Sequence, residues 1–211
     1  MGVTIQYRGK IDDQARVGDL QRELADIAES VGWKWHMLDD DWSIPPSAKL
    51  VHVDGGATIS GHLGLKGIDL IPAGGASEPV SFLFDANGQL SSEMDVILKC
   101  EGSLAPEEAW IFVKTQFVSP DTHIWIIGLL KYLKKHYLSN LEVSDEGGYW
   151  ETGNRTALEA KMRLLNEKMA WLAGELASAR FADMAGLPAE EIARRLENFL
   201  RKNHATPPDH N

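Results

Sequence analysis

Two stretches of this chain read alike, and together they limit its fold more than any other feature. Each runs strand, helix, strand and then a tight acidic turn closed by tryptophan: the first from Val3 to Asp39-Asp40-Asp41-Trp42, the second from Trp110 to Asp145-Glu146-Gly147-Gly148-Tyr149-Trp150. In the first, Val3 to Arg8 alternates as a strand does, and Val17, Leu20, Leu24, Ile27 and Val31 recur at spacings of three and four, the apolar face of a helix that Gly32 ends. Trp33, Trp35 and Met37 then alternate with polar neighbours, so a strand follows at once. In the second, Trp110 to Phe117 reads as a strand, Ser119-Pro120 as an N-cap followed by the first helical residue, and Ile124 to Tyr137 as a helix with Lys131, Lys134 and Lys135 near its end. The apolar density of that helix implies burial, with the lysines turned to solvent.

Between the units, Leu50–Val53, Leu65–Ile71, Val80–Phe84 and Met94–Lys99 read as short strands separated by glycine- and proline-rich turns. One of these turns is Asp85-Ala86-Asn87-Gly88, where Asn-Gly favours a hairpin. The expected fold is therefore α+β: a mixed, largely antiparallel sheet built from two strand-helix-strand units and a central meander, both crossover helices on one face. After residue 154, Leu158, Met162, Leu165, Met169, Leu172 and Leu176 repeat at spacings of four and three, as in a helix that packs on another helix. Gly186-Leu187-Pro188 breaks the pattern, and Ile192, Leu196 and Phe199 give a shorter amphipathic helix. The expected organisation is a core domain over 1–154, a C-terminal helical hairpin over 155–203 that packs on the core or on a second subunit, and a flexible tail over 204–211.

Charge removes some function classes. The 211 residues carry a net charge of −10, which opposes the counterion-release term that drives non-specific nucleic-acid binding. Residues 1–154 hold 12 basic and 23 acidic side chains and residues 155–203 hold 9 and 7, so the helical segment differs from the rest. The passage from Gly186 to Leu196 looks like the early helix of a helix-turn-helix motif, but the same helix runs on where a reader helix should start. The longest apolar run, Ile124 to Leu130, is too short to span a bilayer. A single cysteine, Cys100, fits a reducing cytoplasm and reads as a half-buried strand residue.

The candidate chemistry gathers at the acidic turns. His36, Asp39 and Asp41 offer an imidazole and hard oxygen ligands in one short stretch, without the glycine and glutamate spacing of an EF-hand loop. Asp145, Glu146 and Glu151 could supply the acid and base of a carboxylate-dependent, metal-assisted hydrolase if they shared a cleft. Trp42 and Trp150 flank the two turns as amphipathic anchors, and Trp110, Lys114 and Gln116 point to a small-ligand pocket between sheet and helices. His123, in the first turn of a buried helix, is expected to bond to backbone. No cofactor signature is present. The residues Thr122 to Lys135, followed by Glu142 to Gly153, resemble a set of uncharacterised bacterial proteins over roughly residues 3–178, a resemblance that implies a bacterial cytoplasmic setting and no particular activity. Three functions follow as expectations: a protein-interaction or regulatory module that self-associates through the helical seam, a small-ligand-binding domain, and the hydrolase.

Overall fold

The computed structural model describes residues 3–74, 77–105 and 109–177, and beyond them 188, 190–192, 194–195 and 197–198. The chain divides into two compact units, Met1–Asn166 and Glu167–Asn211. The first holds β1 (Thr4–Arg8), α1 (Val17–Ser30), β2 (Lys34–Asp39), β3 (Lys49–Val53), β4 (Gly56–Ser60), β5 (Lys66–Ile71), β6 (Val80–Phe84), α2 (Glu93–Cys100), β7 (Ile111–Lys114), α3 (Pro120–His136), β8 (Glu142–Asp145), the short α4 (Tyr149–Thr152) and the start of α5 (Arg155–Ala177).

The α+β class and the antiparallel character hold, since every strand pair is antiparallel. The strands are shared among three sheets, not gathered into one: β7-β1-β8, β2-β5-β6 and the hairpin β3-β4. The two look-alike passages are thus used differently. The second is closed, because β7 and β8 both flank β1 and α3 crosses between them; the first is split, because β1 and β2 end in different sheets. The two larger sheets meet at a corner where β1 runs on past its end. Ile11 N donates to Gly88 O and Leu90 N to Gly9 O, both at 2.9 Å, and Leu90 in turn bridges to Phe84.

One core serves both sheets. Ile5 and Tyr7 of β1, Ile68 and Leu70 of β5, and Phe82 and Phe84 of β6 pack with Leu20 and Leu24 of α1 and Ile126, Ile127, Leu130 and Leu133 of α3. Each such side chain contributes about 1.5–3 kcal/mol relative to leaving it in water. The two helices also touch directly: Glu23 accepts hydrogen bonds from Tyr132 and Tyr137, and the Trp33 and Trp125 rings lie 4.6 Å apart. Gln21, buried on α1, ties the helix to the sheet by donating to Leu38 O at 2.9 Å and Gly67 O at 2.8 Å. Gly67 has φ +149, and a Cβ there would fall 2.0 Å from Phe82 O, so β5 and β6 approach as they do only because that residue is glycine. On its opposite face the β2-β5-β6 sheet carries a smaller core of Leu65, Leu83, Val96 and Ile97, with Ile59 from the hairpin against it.

Val96 and Ile97 belong to α2, and this corrects the strand expected over Met94–Lys99. Ser92 Oγ accepts from Asp95 N at 3.0 Å while Asp95 Oδ2 accepts from Ser92 N at 2.8 Å. That reciprocal capping starts a helix, whatever alternation the next residues show. Cys100 accordingly stands exposed at a helix end, not half-buried on a strand. Strand β4, absent from the expectation, pairs with β3 across the Asp54-Gly55 turn. Ser119 and Pro120 take the N-cap and N1 positions of α3. The lysines of α3 are less free than expected: Lys134 Nζ donates to Leu141 O at 2.7 Å, and Lys131 and Lys134 stand 5.5 and 6.0 Å from the Trp150 ring centre.

α5 starts where residue 154 was expected to end a domain, yet the compact unit carries on to Asn166 because Leu158 and Met162 bury against Val3, with Ile124, Tyr149 and Leu165 beside them. In the second unit Arg194 and Arg195 both pair with Glu191. The second helix of the expected hairpin lies partly, and the 204–211 tail wholly, outside the described residues. Among those described, no helix is long and apolar enough to cross a membrane.

Candidate functional site

The second acidic turn is an internal staple. Asp145 ends β8 with its side chain fully buried, as is that of His123, and His123 Nε2 lies 3.2 Å from Asp145 Oδ1. The contact falls short of linear hydrogen-bond geometry at Nε2. The same carboxylate accepts from Gly147 N at 2.6 Å, Tyr149 N at 2.7 Å and Trp150 N at 2.9 Å. Burial pushes the Asp145 carboxyl upward, but His123 and the N–H groups of Trp150 and Gly147 outweigh it and leave the group below its ordinary 3.8. On the other side of the ring, Thr115 Oγ1 is 2.7 Å from His123 Nδ1 and 3.1 Å from Val3 O. The His123 ring therefore meets the side chains of Thr115 and Asp145 and not, as expected, backbone.

Hydroxyl, imidazole and carboxylate in this order match the roles of a nucleophile, its base and the group that orients the base. The geometry serves packing instead. Thr115 and His123 are both wholly buried, and a Cβ on Gly147 would sit 2.8 Å from Leu158 Cδ1 and 2.9 Å from His123 Cε1. Nothing the size of a substrate reaches the hydroxyl. Sequence missed this cluster because Thr115 and His123 stand far from Asp145 along the chain; their shared signal is three polar residues at the ends of elements with apolar interiors.

The remaining candidates at this turn are dispersed. Glu146 is exposed and accepts from Thr4 N at 3.0 Å through Oε2, while Lys161 holds its carbonyl. Glu151 is exposed on α4. Trp110 lies under the Arg8 guanidinium at 4.5 Å, Lys114 points outward with its Nζ 5.3 Å from the Phe117 ring, and Gln116 is buried just past β7. Trp150 is half-buried against the core. The first turn is similarly spread. His36 faces Asp69 across the β2-β5 ladder, and Asp39 faces Lys66, three positions on and so on the other side of the strand. Asp41 Oδ1 accepts from Ser43 N at 2.9 Å, and Asp40 Oδ2 accepts from Gly64 N at 2.9 Å. Among the described residues no three His, Cys, Asp or Glu side chains come together as a metal ion would need.

What the first turn does form is a half-open cleft of about 410 Å³ between α1 and the β2-β5 edge. Val17, Gln21 and Arg22 of α1 line one side and Met37, Asp39 and Lys66 the other, with Trp42 as an end wall. Lys66 Nζ stands 2.8 Å from Asp39 Oδ1 and 5.4 Å from the Trp42 ring centre. Two of the sequence candidates, Asp39 and Trp42, thus share a cavity, though not for the metal chemistry that singled out Asp39. Trp42 Nε1 is buried without an acceptor among the described residues, which costs free energy. Against known protein families, curated proteins and solved structures, the chain finds no match.

Proposed function

We propose that this protein is a small-ligand-binding domain whose ligand occupies the cleft between α1 and the β2-β5 edge. The observation that carries this reading is the cleft itself. Its volume of about 410 Å³ falls in the range of small-molecule sites, and its lining joins the Trp42 ring and the apolar Met37 and Val17 to a polar set that includes Gln21, Lys66 and Asp39. The hydrolase reading draws no comparable support, because Asp145 has both oxygens committed to His123 and backbone N–H groups. A screen of metabolites by ligand-observed NMR tests the proposal. The expected result is at least one saturable binder whose affinity falls tenfold or more in Trp42→Ala; a screen with no saturable binder removes the reading.

Self-association is the second reading, favoured by α5. In the second unit Met169 and Trp171 are each 47% exposed. Met169→Glu should lower the mass measured by light scattering if these residues form a seam between copies; an unchanged mass in the wild type and the variant counts against it. A cytoplasmic location belongs to the same proposal and rests on the exposed, lone thiol of Cys100.

A further inference from the structure

In the cleft at Trp42 aromatic, apolar and charged groups converge, and its charge is unlike that of the molecule. The chain as a whole stands at −10, yet the charged side chains lining the cleft are Arg22, Lys66 and Asp39, two cations and one acid. Their exposures differ in a telling way. Lys66 is held, with its side chain only 29% exposed between the Trp42 ring and the strand, whereas its partner Asp39 is 77% exposed. A pair whose acid stands in water is weakly bound and easily exchanged. Arg22, on the facing side, pairs with Asp19 at 2.5 Å with both side chains exposed, at 72% and 56%. Lys66 on β5 is therefore the cation held in the cleft, while Arg22 on α1 reaches over its margin and the acids that neutralise both stand in water.

From this we propose that the ligand is a small planar monoanion: an aromatic ring bearing one carboxylate, its ring against Trp42 and Met37 and its carboxylate between Lys66 and Arg22. The inference rests on the ligand-binding reading and adds the ligand's chemical class. A flat ring suits the tryptophan wall, where stacked or edge-to-face contact adds to plain burial. One carboxylate replaces Asp39 as the partner of Lys66, and it is a better partner because it meets the less exposed side of the ammonium, where screening by water is weaker. A second negative charge would meet Asp39 itself.

Isothermal titration of the full chain with indole-3-carboxylate, indole-3-carboxamide and acetate separates these contributions. The acid should bind, the isosteric amide should bind at least tenfold more weakly, and acetate should give no measurable heat. Lys66→Met should cost the acid tenfold or more, and Asp39→Asn, which removes the competing carboxylate, should tighten it severalfold; circular dichroism checks each fold, and Arg22→Met replaces Lys66→Met if that variant does not fold. A gain of affinity in Asp39→Asn cannot come from a damaged protein. Equal binding of acid and amide overturns the monoanion while leaving the cleft a ligand site. Failure of both ring compounds, alongside a Trp42-dependent binder of another class from the metabolite screen, overturns the inference and spares the reading beneath it. Failure of both with an empty screen overturns the two together.

Discussion

A carboxylate shut off from water must be held by something, and at Asp145 one imidazole and three backbone N–H groups do it. The residue is a keystone more than a reagent. Asp145→Asn turns an amide N–H toward donors that need an acceptor, and a loss of on the order of 3 kcal/mol follows. Because the folded carboxyl titrates below its ordinary 3.8, its stabilisation is present above that value and is lost as pH falls through the lowered one. Wild type should therefore lose stability on the acid side of about pH 4 where the Asn variant does not, a contrast that urea titrations at several pH values measure. Asp69 has the opposite sign. Burial raises its carboxyl, partly offset by Ser81 and His36, and its Oδ1 is buried without a partner. Its stabilising contribution is full below the ordinary 3.8 and is lost as pH rises through the raised value, so at pH 7 the group is a burden. Asp69→Asn should raise the Tm at pH 7, with the gain shrinking toward pH 4; a lower Tm at pH 7 would show that the charge is wanted there.

At the scale of elements, what could be read ahead and what could not follow from where the determining contacts lie. α1, β1 and α3 were legible because their signals are local: the spacing from Val17 to Val31, the alternation of Ile5 and Tyr7, and Ser119-Pro120 at a helix start. α2 was not, because Met94 to Lys99 is a short apolar run that a strand could hold as well, and the deciding feature is a two-way hydrogen bond three residues apart, Ser92 with Asp95. Ser92→Ala should cost about 1 kcal/mol, visible as a lower denaturant midpoint with an unchanged slope. The division into separate sheets was illegible for a different reason. β1 takes its partners from β7 and β8, and nothing in the residues of β1 distinguishes those strands from β2. The candidate site shows the same limit. Trp42 was marked as an anchor and Asp39 as a ligand, but that Lys66 stands between them depends on β2 and β5 pairing in that register.

For the molecule as a whole, the first compact unit runs to Asn166, past the boundary at residue 154 expected from the sequence, and the part α5 plays in it is testable. A chain stopped after Asn166 keeps Leu158 and Met162 over Val3 and should unfold within a few degrees of the full protein. One stopped after Gly153 uncovers Val3, Ile124 and Tyr149 and loses two buried side chains, a deficit of several kcal/mol at about 2 kcal/mol or more for each. Thermal melts of the two fragments compare them directly, and equal Tm values would show that α5 does not close this core.

The central place of β1 also sets an order on events before the protein is finished. Thr4 and Glu146, which share hydrogen bonds across the β1-β8 edge, lie 142 residues apart, so at 5–20 residues per second β1 waits roughly 7 to 30 s for its last partner to be synthesised. Until β7 is made the nascent strand has two open edges, and until β8 follows it still has one. A ribosome-bound chaperone, or the speed of translation through residues 111–145, is then as much a determinant of yield as any contact in the finished molecule.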